Sequence, residues 1–186
     1  MTPVFESERL QMTDWALDDA AEAFAIYGDP EVTAGLSGEP VPTVEAMRER
    51  LAKIEEKYSQ IKPYGFWALR LKDGSKIVGA VILQPLPDHE EIEVGWHLAQ
   101  SEWGHGYATE AGLAALKFGF EQLGLQEIFA VVRPWNERSK AVTRRLGMTP
   151  LGLTTEYYGR ETELFRITAW EFSEMQAKWK ASRSSC

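Results

Sequence analysis

Trp103-Gly104-His105-Gly106-Tyr107-Ala108-Thr109-Glu110-Ala111 stands between an extended run and an Ala-rich helical run, and its reading decides the fold. Two glycines flanking His105 let the backbone bend tightly and bring bare N–H groups close to a ligand. The helix that follows, from about Thr109 to Leu123 with Leu113, Leu116, Phe120 and Leu123 as its apolar stripe, puts those groups at its positive end. A phosphate or pyrophosphate is stabilised there. The Gly-x-Gly tripeptide alone is only a turn before a helix, so its flanks must carry the case.

Just upstream, Glu91-Ile92-Glu93-Val94-Gly95-Trp96-His97-Leu98 alternates, with Ile92, Val94, Trp96 and Leu98 on one face and Glu91, Glu93, Gly95 and His97 on the other. Two earlier extended runs, Phe66–Leu71 and Lys76–Leu83, flank an Asp73-Gly74 hairpin signal. Before them, Phe5–Met12 is predicted as the first strand. A short helix carrying Ala21, Phe24 and Tyr27 follows, then a loop from Glu31 to Pro42 and a helix capped by Thr43. Downstream, Ile128–Val132 is a buried-type strand, Asn136 caps a helix to Leu146, and strands near Thr149–Thr155 and Glu163–Trp170 form a closing hairpin around Tyr158-Gly159. The order β-α-α-β-β-β-α-β-α-β-β predicts an α+β fold: a mixed, mostly antiparallel seven-stranded sheet with helices on both faces.

Composition bounds the function. With 186 residues, 44% hydrophobic and seven Trp, the chain is read as a single domain over 1–172 followed by a polar C-terminal tail, 173–186. A net charge of −8 excludes a general nucleic-acid binder. The lone cysteine, Cys186, leaves no internal disulfide and is a poor nucleophile at a frayed terminus. His89, His97 and His105 lack metal-ligand spacing, so no metal is expected. No apolar run matches a membrane span and no signal-peptide pattern opens the chain, so a cytoplasmic protein without a membrane partner is expected. A dinucleotide-binding oxidoreductase is excluded because the glycine loop follows hairpin-like strands and Thr109 takes the place of the third glycine.

The strand Glu93–Leu98, the loop Trp103–Ala108, its helix, and Asn136-Glu137-Arg138-Ser139 leading to Leu146-Gly147-Met148 occur in this order at this spacing. Together they resemble the GNAT superfamily of acetyl-CoA-dependent N-acetyltransferases. Ser7-Glu8-Arg9-Leu10 and the loop narrow the resemblance to the ribosomal-protein N-terminal acetyltransferase-like (RimJ/RimL) branch, over Phe5 to Trp170. The resemblance implies the three-layer α/β/α GNAT fold, acetyl-CoA as donor and an amine as acceptor, in a monomer or homodimer.

It also implies roles. Backbone amides of Trp103, Gly104, His105, Gly106, Tyr107, Ala108 and Thr109 would hold the pyrophosphate. Trp96, His97 and Leu98 would offer hydrogen bonds to the pantetheine arm as an added strand. The Leu98 N–H is the implied donor to the developing oxyanion, and Asn136 matches a pantetheine contact. Two departures stand out: Ser101 where the superfamily has Arg or Gln, and Thr143 where many members carry the Tyr that protonates the thiolate. A threonine hydroxyl is a far weaker acid than a phenol, and Ser139 matches the Ser assigned that role in this branch. Glu93, and Glu156 on the hairpin, compete as general base.

Between Arg133 and Arg145 five basic residues, Arg133, Arg138, Lys140, Arg144 and Arg145, face Glu137 alone. One or two of them, Arg144 among the candidates, would meet the 3′-phosphoadenosine. Trp67, Trp96 and Trp170 are expected in strands and the core, with Trp103 and Trp135 beside the cofactor. The loop Glu31–Pro42, the second helix and the closing hairpin bound the acceptor site, where Glu156, Glu161 and Glu163 hint at a cationic acceptor. The alternative reading is a non-catalytic acyl-CoA-binding domain of the same fold.

Overall fold

Alternate residues of the strand β3 (Gly65–Leu71) enter two separate cores. Phe66 and Ala68 pack with Ala23, Ile26 and Tyr27 of α1 (Ala20–Tyr27) and with Met47 and Leu51 of α3 (Val44–Gln60). Trp67 and Leu69 point the other way, toward Ala111, Ala115 and Leu116 of α4 (Tyr107–Lys117) and Val142 of α5 (Glu137–Arg145). Period-two alternation thus divides the molecule into helix, sheet and helix layers. The structure, a computed structural model, describes residues 2–36, 38–74 and 76–183; Cys186 lies outside them.

The strands are β1 (Phe5–Glu6), β2 (Leu10–Thr13), β3, β4 (Ile77–Pro85), β5 (Ile92–Leu98), β6 (Glu127–Val132), β7 (Thr149–Thr154) and β8 (Thr162–Thr168), with the four-residue helix α2 (Pro30–Thr33) before α3. They form one sheet in the order β1-β2-β3-β4-β5-β6-β8-β7. Neighbours are antiparallel except β5 and β6, which run parallel.

The sheet has eight strands where seven were expected, because Phe5–Met12 folds back on itself. The Ser7 N–H donates to the Leu10 carbonyl at 2.9 Å, and Ser7 Oγ accepts from the Leu10 N–H at 3.2 Å. That turn splits the predicted strand into a hairpin with Phe5 opposite Met12. The helix expected from Thr109 starts at Tyr107 and passes after Lys117 into a π-type turn over Phe118–Gln122.

At the C-terminus the expected strand ends at Thr168, and α6 (Ala169–Arg183) replaces both its last residues and most of the expected polar tail. Thr168 and Glu171 form a reciprocal cap: the Glu171 N–H donates to Thr168 Oγ1 at 3.2 Å, and Glu171 Oε2 accepts from the Thr168 N–H at 2.8 Å. This Thr-x-x-Glu helix start was present in the sequence. Trp170, expected in the core, therefore sits on the first turn of α6 at 72% exposure, while Phe172 and Met175 pack against the sheet.

Candidate active site

Gly104 and Gly106 have φ of 83° and 81°, left-handed values that a Cβ disfavours. Gly106 precedes the first residue of α4, and no side chain caps that end, which gives the opening N–H groups of the helix the character of an anion-binding site. A brace from the N-terminal hairpin holds the loop. Ser7 Oγ donates to Glu110 Oε1 at 2.6 Å, and the Arg9 N–H donates to the same oxygen at 2.7 Å. Arg9 Nε donates to Glu110 Oε2 at 2.6 Å and Arg9 Nη1 to the His105 carbonyl at 3.1 Å, while its guanidinium lies 4.5 Å from the Tyr107 ring centre. Burial pushes the Glu110 carboxyl up, but the Ser7 and Arg9 bonds outweigh it and hold the group below the usual carboxylate range. Ser7-Glu8-Arg9-Leu10 and Glu110 were both visible in the sequence; their contact was not.

Strands β5 and β6 pair only at Glu93 and Phe129, then part. The Ala99 N–H bonds the Val78 carbonyl toward β4 at 3.0 Å. Because successive residues of an antiparallel strand point to opposite edges, the N–H groups of Leu98 and Trp96 face the parted edge. The Leu98 carbonyl faces that way too, where it accepts from Trp103 Nε1 at 3.2 Å.

A cleft of about 1450 Å³ runs from this gap to the glycine loop. It brings together Trp96, His97, Leu98, Trp103, Gly104, Gly106, Ala108 and Thr109 with Asn136 and Ser139 from the start of α5. Asn136 Oδ1 accepts from the Ser139 N–H at 3.1 Å, capping the helix. His105 and Tyr107 do not line the cleft, and their rings stack 5.9 Å apart. Arg144 lies outside as well, its Nη2 3.6 Å from Glu137 Oε2. The helical rotation instead presents Arg145 and Arg138, the latter 4.2 Å over the Trp103 ring. Lys140 is held between Glu137 at 3.0 Å and Glu163 at 2.9 Å. The wall that α6 adds through Met175 and Trp179 is not legible in the sequence, where 173–186 reads as a polar tail. Thr143 is fully buried and its Oγ1 donates to the Lys140 carbonyl at 2.8 Å, which turns it away from the cleft.

On the opposite face of β5, Glu93 is 7% exposed. Its Oε1 accepts from Gln84 Nε2 at 2.7 Å and from the Tyr158 hydroxyl. Gln84 Oε1 in turn accepts from the Tyr58 hydroxyl at 2.6 Å and from Lys57 Nζ at 3.0 Å. Burial is the largest influence on Glu93 and raises its pKa; the Tyr158 and Gln84 bonds and the Lys57 charge lower it only in part. Tyr158 reaches this site from the β7–β8 turn, where Tyr157 is buried beside Leu86 and Phe129 and where Tyr158 itself has φ 60°. Glu156, the other predicted base, is exposed on that turn. Nothing local in the sequence marked Tyr158 as Glu93's partner.

His97 shares this face. Burial foremost, and Arg50 next, lower its pKa to about 3, so the ring is neutral. Burial raises Tyr27 well above the usual phenol value, so its hydroxyl keeps its proton, and it shares a hydrogen bond with His97 Nδ1 at 3.1 Å. No group of three or more His, Cys, Asp or Glu among the described residues is placed to hold a metal.

A family model described as an acetyltransferase (GNAT) domain matches residues 9–149, and the chain belongs to this family. It is 27% identical over 161 residues to the uncharacterized N-acetyltransferase YoaA of Bacillus subtilis (strain 168), covering 84% of this chain and 89% of that protein. Two solved structures share the fold. An acetyltransferase of the GNAT family from Bacillus anthracis superposes with a TM-score of 0.76 at 23% identity, covering 89% of this chain and 98% of that one. Ribosomal-protein-S5-alanine acetyltransferase from Vibrio fischeri superposes with a TM-score of 0.68 at 21% identity, covering 89% and 96%.

Proposed function

We propose that this GNAT acetyltransferase takes the acetyl group from acetyl-CoA and delivers it to a primary amine by direct attack in a ternary complex. One observation carries the reading: an uncapped, glycine-opened helix start faces the same cleft as the parted edge of β5. The helix start suits a pyrophosphate, and the edge suits a pantetheine arm that needs backbone partners. Arg138, Arg145 and the α6 wall suit the nucleotide end.

In this reading Glu93 takes the proton from the amine, directly or through a water, and burial shifts its pKa upward, the direction that makes a carboxylate a stronger base. The Leu98 N–H donates to the carbonyl oxygen as negative charge develops there. The C–N bond forms, the C–S bond breaks, and Ser139 gives its proton to the departing thiolate. Glu156 is the second base of the reading, to be tested beside Glu93. Ser7-Glu8-Arg9-Leu10 and the glycine loop favour the RimJ/RimL-like branch, under which a protein α-amino group joins small amines as a possible acceptor.

Release of free CoA from acetyl-CoA, measured across a panel of amines, tests the proposal. Amine-dependent release supports it. Tight CoA binding without release by any amine favours the non-catalytic acyl-CoA-binding alternative, and absence of CoA binding removes both.

A further inference from the structure

We propose that Arg133 and Arg160 form an anion-binding subsite on the acceptor side, so that the amine this enzyme acetylates carries a carboxylate or phosphate on the same molecule. The inference rests on the acetyltransferase reading and names the substrate class for its acceptor site.

Arg133 follows the last residue of β6, at the end where that strand has parted from β5. Arg160 precedes β8 by two residues, and the pairing of Val132 with Glu163 brings those two chain ends together. Backbone bonds aim both guanidinium groups. Arg133 Nη2 donates to the Leu36 carbonyl of the α2–α3 loop at 3.4 Å, and Arg160 Nε donates to the Tyr158 carbonyl at 3.2 Å. Tyr158 is the residue whose hydroxyl bonds Glu93, so Arg160 is fastened to the partner of the base. Among the described residues neither arginine forms an ion pair, and the acid next along β8, Glu163, is committed to Lys140. Burial, and then the charge of Arg160, lower the pKa of Arg133, as expected for two like charges held together with no acid between them. A bound anion relieves that repulsion, and each guanidinium can donate two parallel bonds to a pair of carboxylate or phosphate oxygens.

The rest of the acceptor face agrees. Lys57 bonds Gln84 beside Glu93, and Arg50 lies 5.1 Å from the Tyr27 ring centre, again without an ion pair among the described residues. Lys57 thus acts on the buried carboxylate of Glu93, Arg50 of α3 acts on its neighbour His97, and Arg133 and Arg160 add positive charge from the end of β6 and the β7–β8 turn. Such a field favours an acceptor with negative charge and repels a polyamine or a lysine-rich segment. Of the acidic residues that hinted at a cationic acceptor, Glu163 is paired with Lys140, and Glu156 and Glu161 are exposed, where solvent screens their charge.

The test measures kcat/KM by thiol release for matched amines: α-amino acids against their methyl esters, phosphoethanolamine against ethanolamine, and a short peptide with an acidic second residue against its amide analogue. The expected result is a preference of tenfold or more for the anionic member of each small pair. Arg133→Gln and Arg160→Gln should abolish it, and Arg133→Lys should retain part of it. A preference seen only with the peptides would place the same chemistry on a protein N-terminus. Equal or better use of neutral or cationic members overturns the proposal while leaving acetyl transfer standing, as does a preference that survives both Gln variants. If no amine is turned over, calorimetry with inorganic phosphate against CoA-saturated protein decides. Saturable heat lost in both Gln variants supports the subsite although the activity reading fails; heat that is absent, or unchanged in the variants, overturns it.

Discussion

Gly106→Pro is the most direct challenge to the proposed role of the glycine loop. Gly106 has φ 81°, whereas proline holds φ near −65°, so the substitution demands a swing of roughly 145° immediately before α4. It also removes one N–H donor. A hydrogen bond to a charged partner contributes about 1.5–3 kcal/mol, and redirecting the neighbouring amides costs at least one more bond of that kind. A loss of about 3–6 kcal/mol follows, or roughly two to four orders of magnitude in the Kd for coenzyme A. Isothermal calorimetry reads the Kd, and far-UV circular dichroism shows whether the variant has folded. Gly106→Ala separates strain from the lost donor. Its Cβ would meet only Arg9 Nη2, at 3.5 Å, so the cost is that of a left-handed alanine, about 1–2 kcal/mol. The N–H is kept, and the expected result is a fall in Tm of about 2–8 °C with less than a tenfold change in Kd. Gly38→Ala, where an added Cβ meets nothing within 4 Å, should change neither. A folded Gly106→Pro protein that binds coenzyme A within twofold of the parent would refute the loop assignment.

Three further outcomes are expected. Because burial lifts Glu93 above the usual 4.5, kcat/KM should rise with pH through a limb above that value. Glu93→Gln should remove the limb and slow turnover by about 10²–10⁴-fold, and Tyr158→Phe, which deletes a bond favouring the carboxylate, should move the limb to higher pH. Loss of the limb in Glu156→Gln alone would transfer the role to Glu156. Glu110→Gln should destabilise the fold by about 1–2 kcal/mol near neutral pH. Since Glu110 titrates below 4.5 in the folded state, its contribution is complete above the unfolded value and disappears as pH falls through the lower folded one. Denaturant curves of parent and variant should therefore converge as pH falls below the unfolded value and through the lower folded one. Arg138→Ala should weaken coenzyme A binding by about tenfold, less at high salt, whereas Arg144→Ala, outside the cleft, should leave the calorimetric Kd unchanged.

The elements that were legible in the sequence have local signals. Asp73-Gly74 marked the β3–β4 turn, Thr43 and Asn136 capped the helices expected of them, and the alternation of Ile92–Leu98 matched β5. The misreadings have local causes as well. Ser7 bonds to Leu10 and turns the single strand expected over Phe5–Met12 into a hairpin, and Thr168 with Glu171 starts a helix inside the strand expected to reach Trp170. Arg144 and Arg145 are equally basic in sequence. Only the rotation of α5 decides that Arg145 lines the cleft while Arg144 pairs with Glu137.

The chain by itself determined the class of fold, the glycine-opened helix start and the strand beside it, since turn glycines, caps and period-two alternation act between residues a few positions apart. Tertiary structure alone decided what surrounds each reactive group. Glu93 meets Tyr158 across 65 residues, and Ser7 meets Glu110 across 103. Contacts of that range leave no periodic trace in the sequence. The first arises because β6 parts from β5 on one side while pairing with β8 on the other, which brings the β7–β8 turn over the buried carboxylate and leaves the cleft open behind it; the second arises because the β1–β2 turn lies against the first turn of α4.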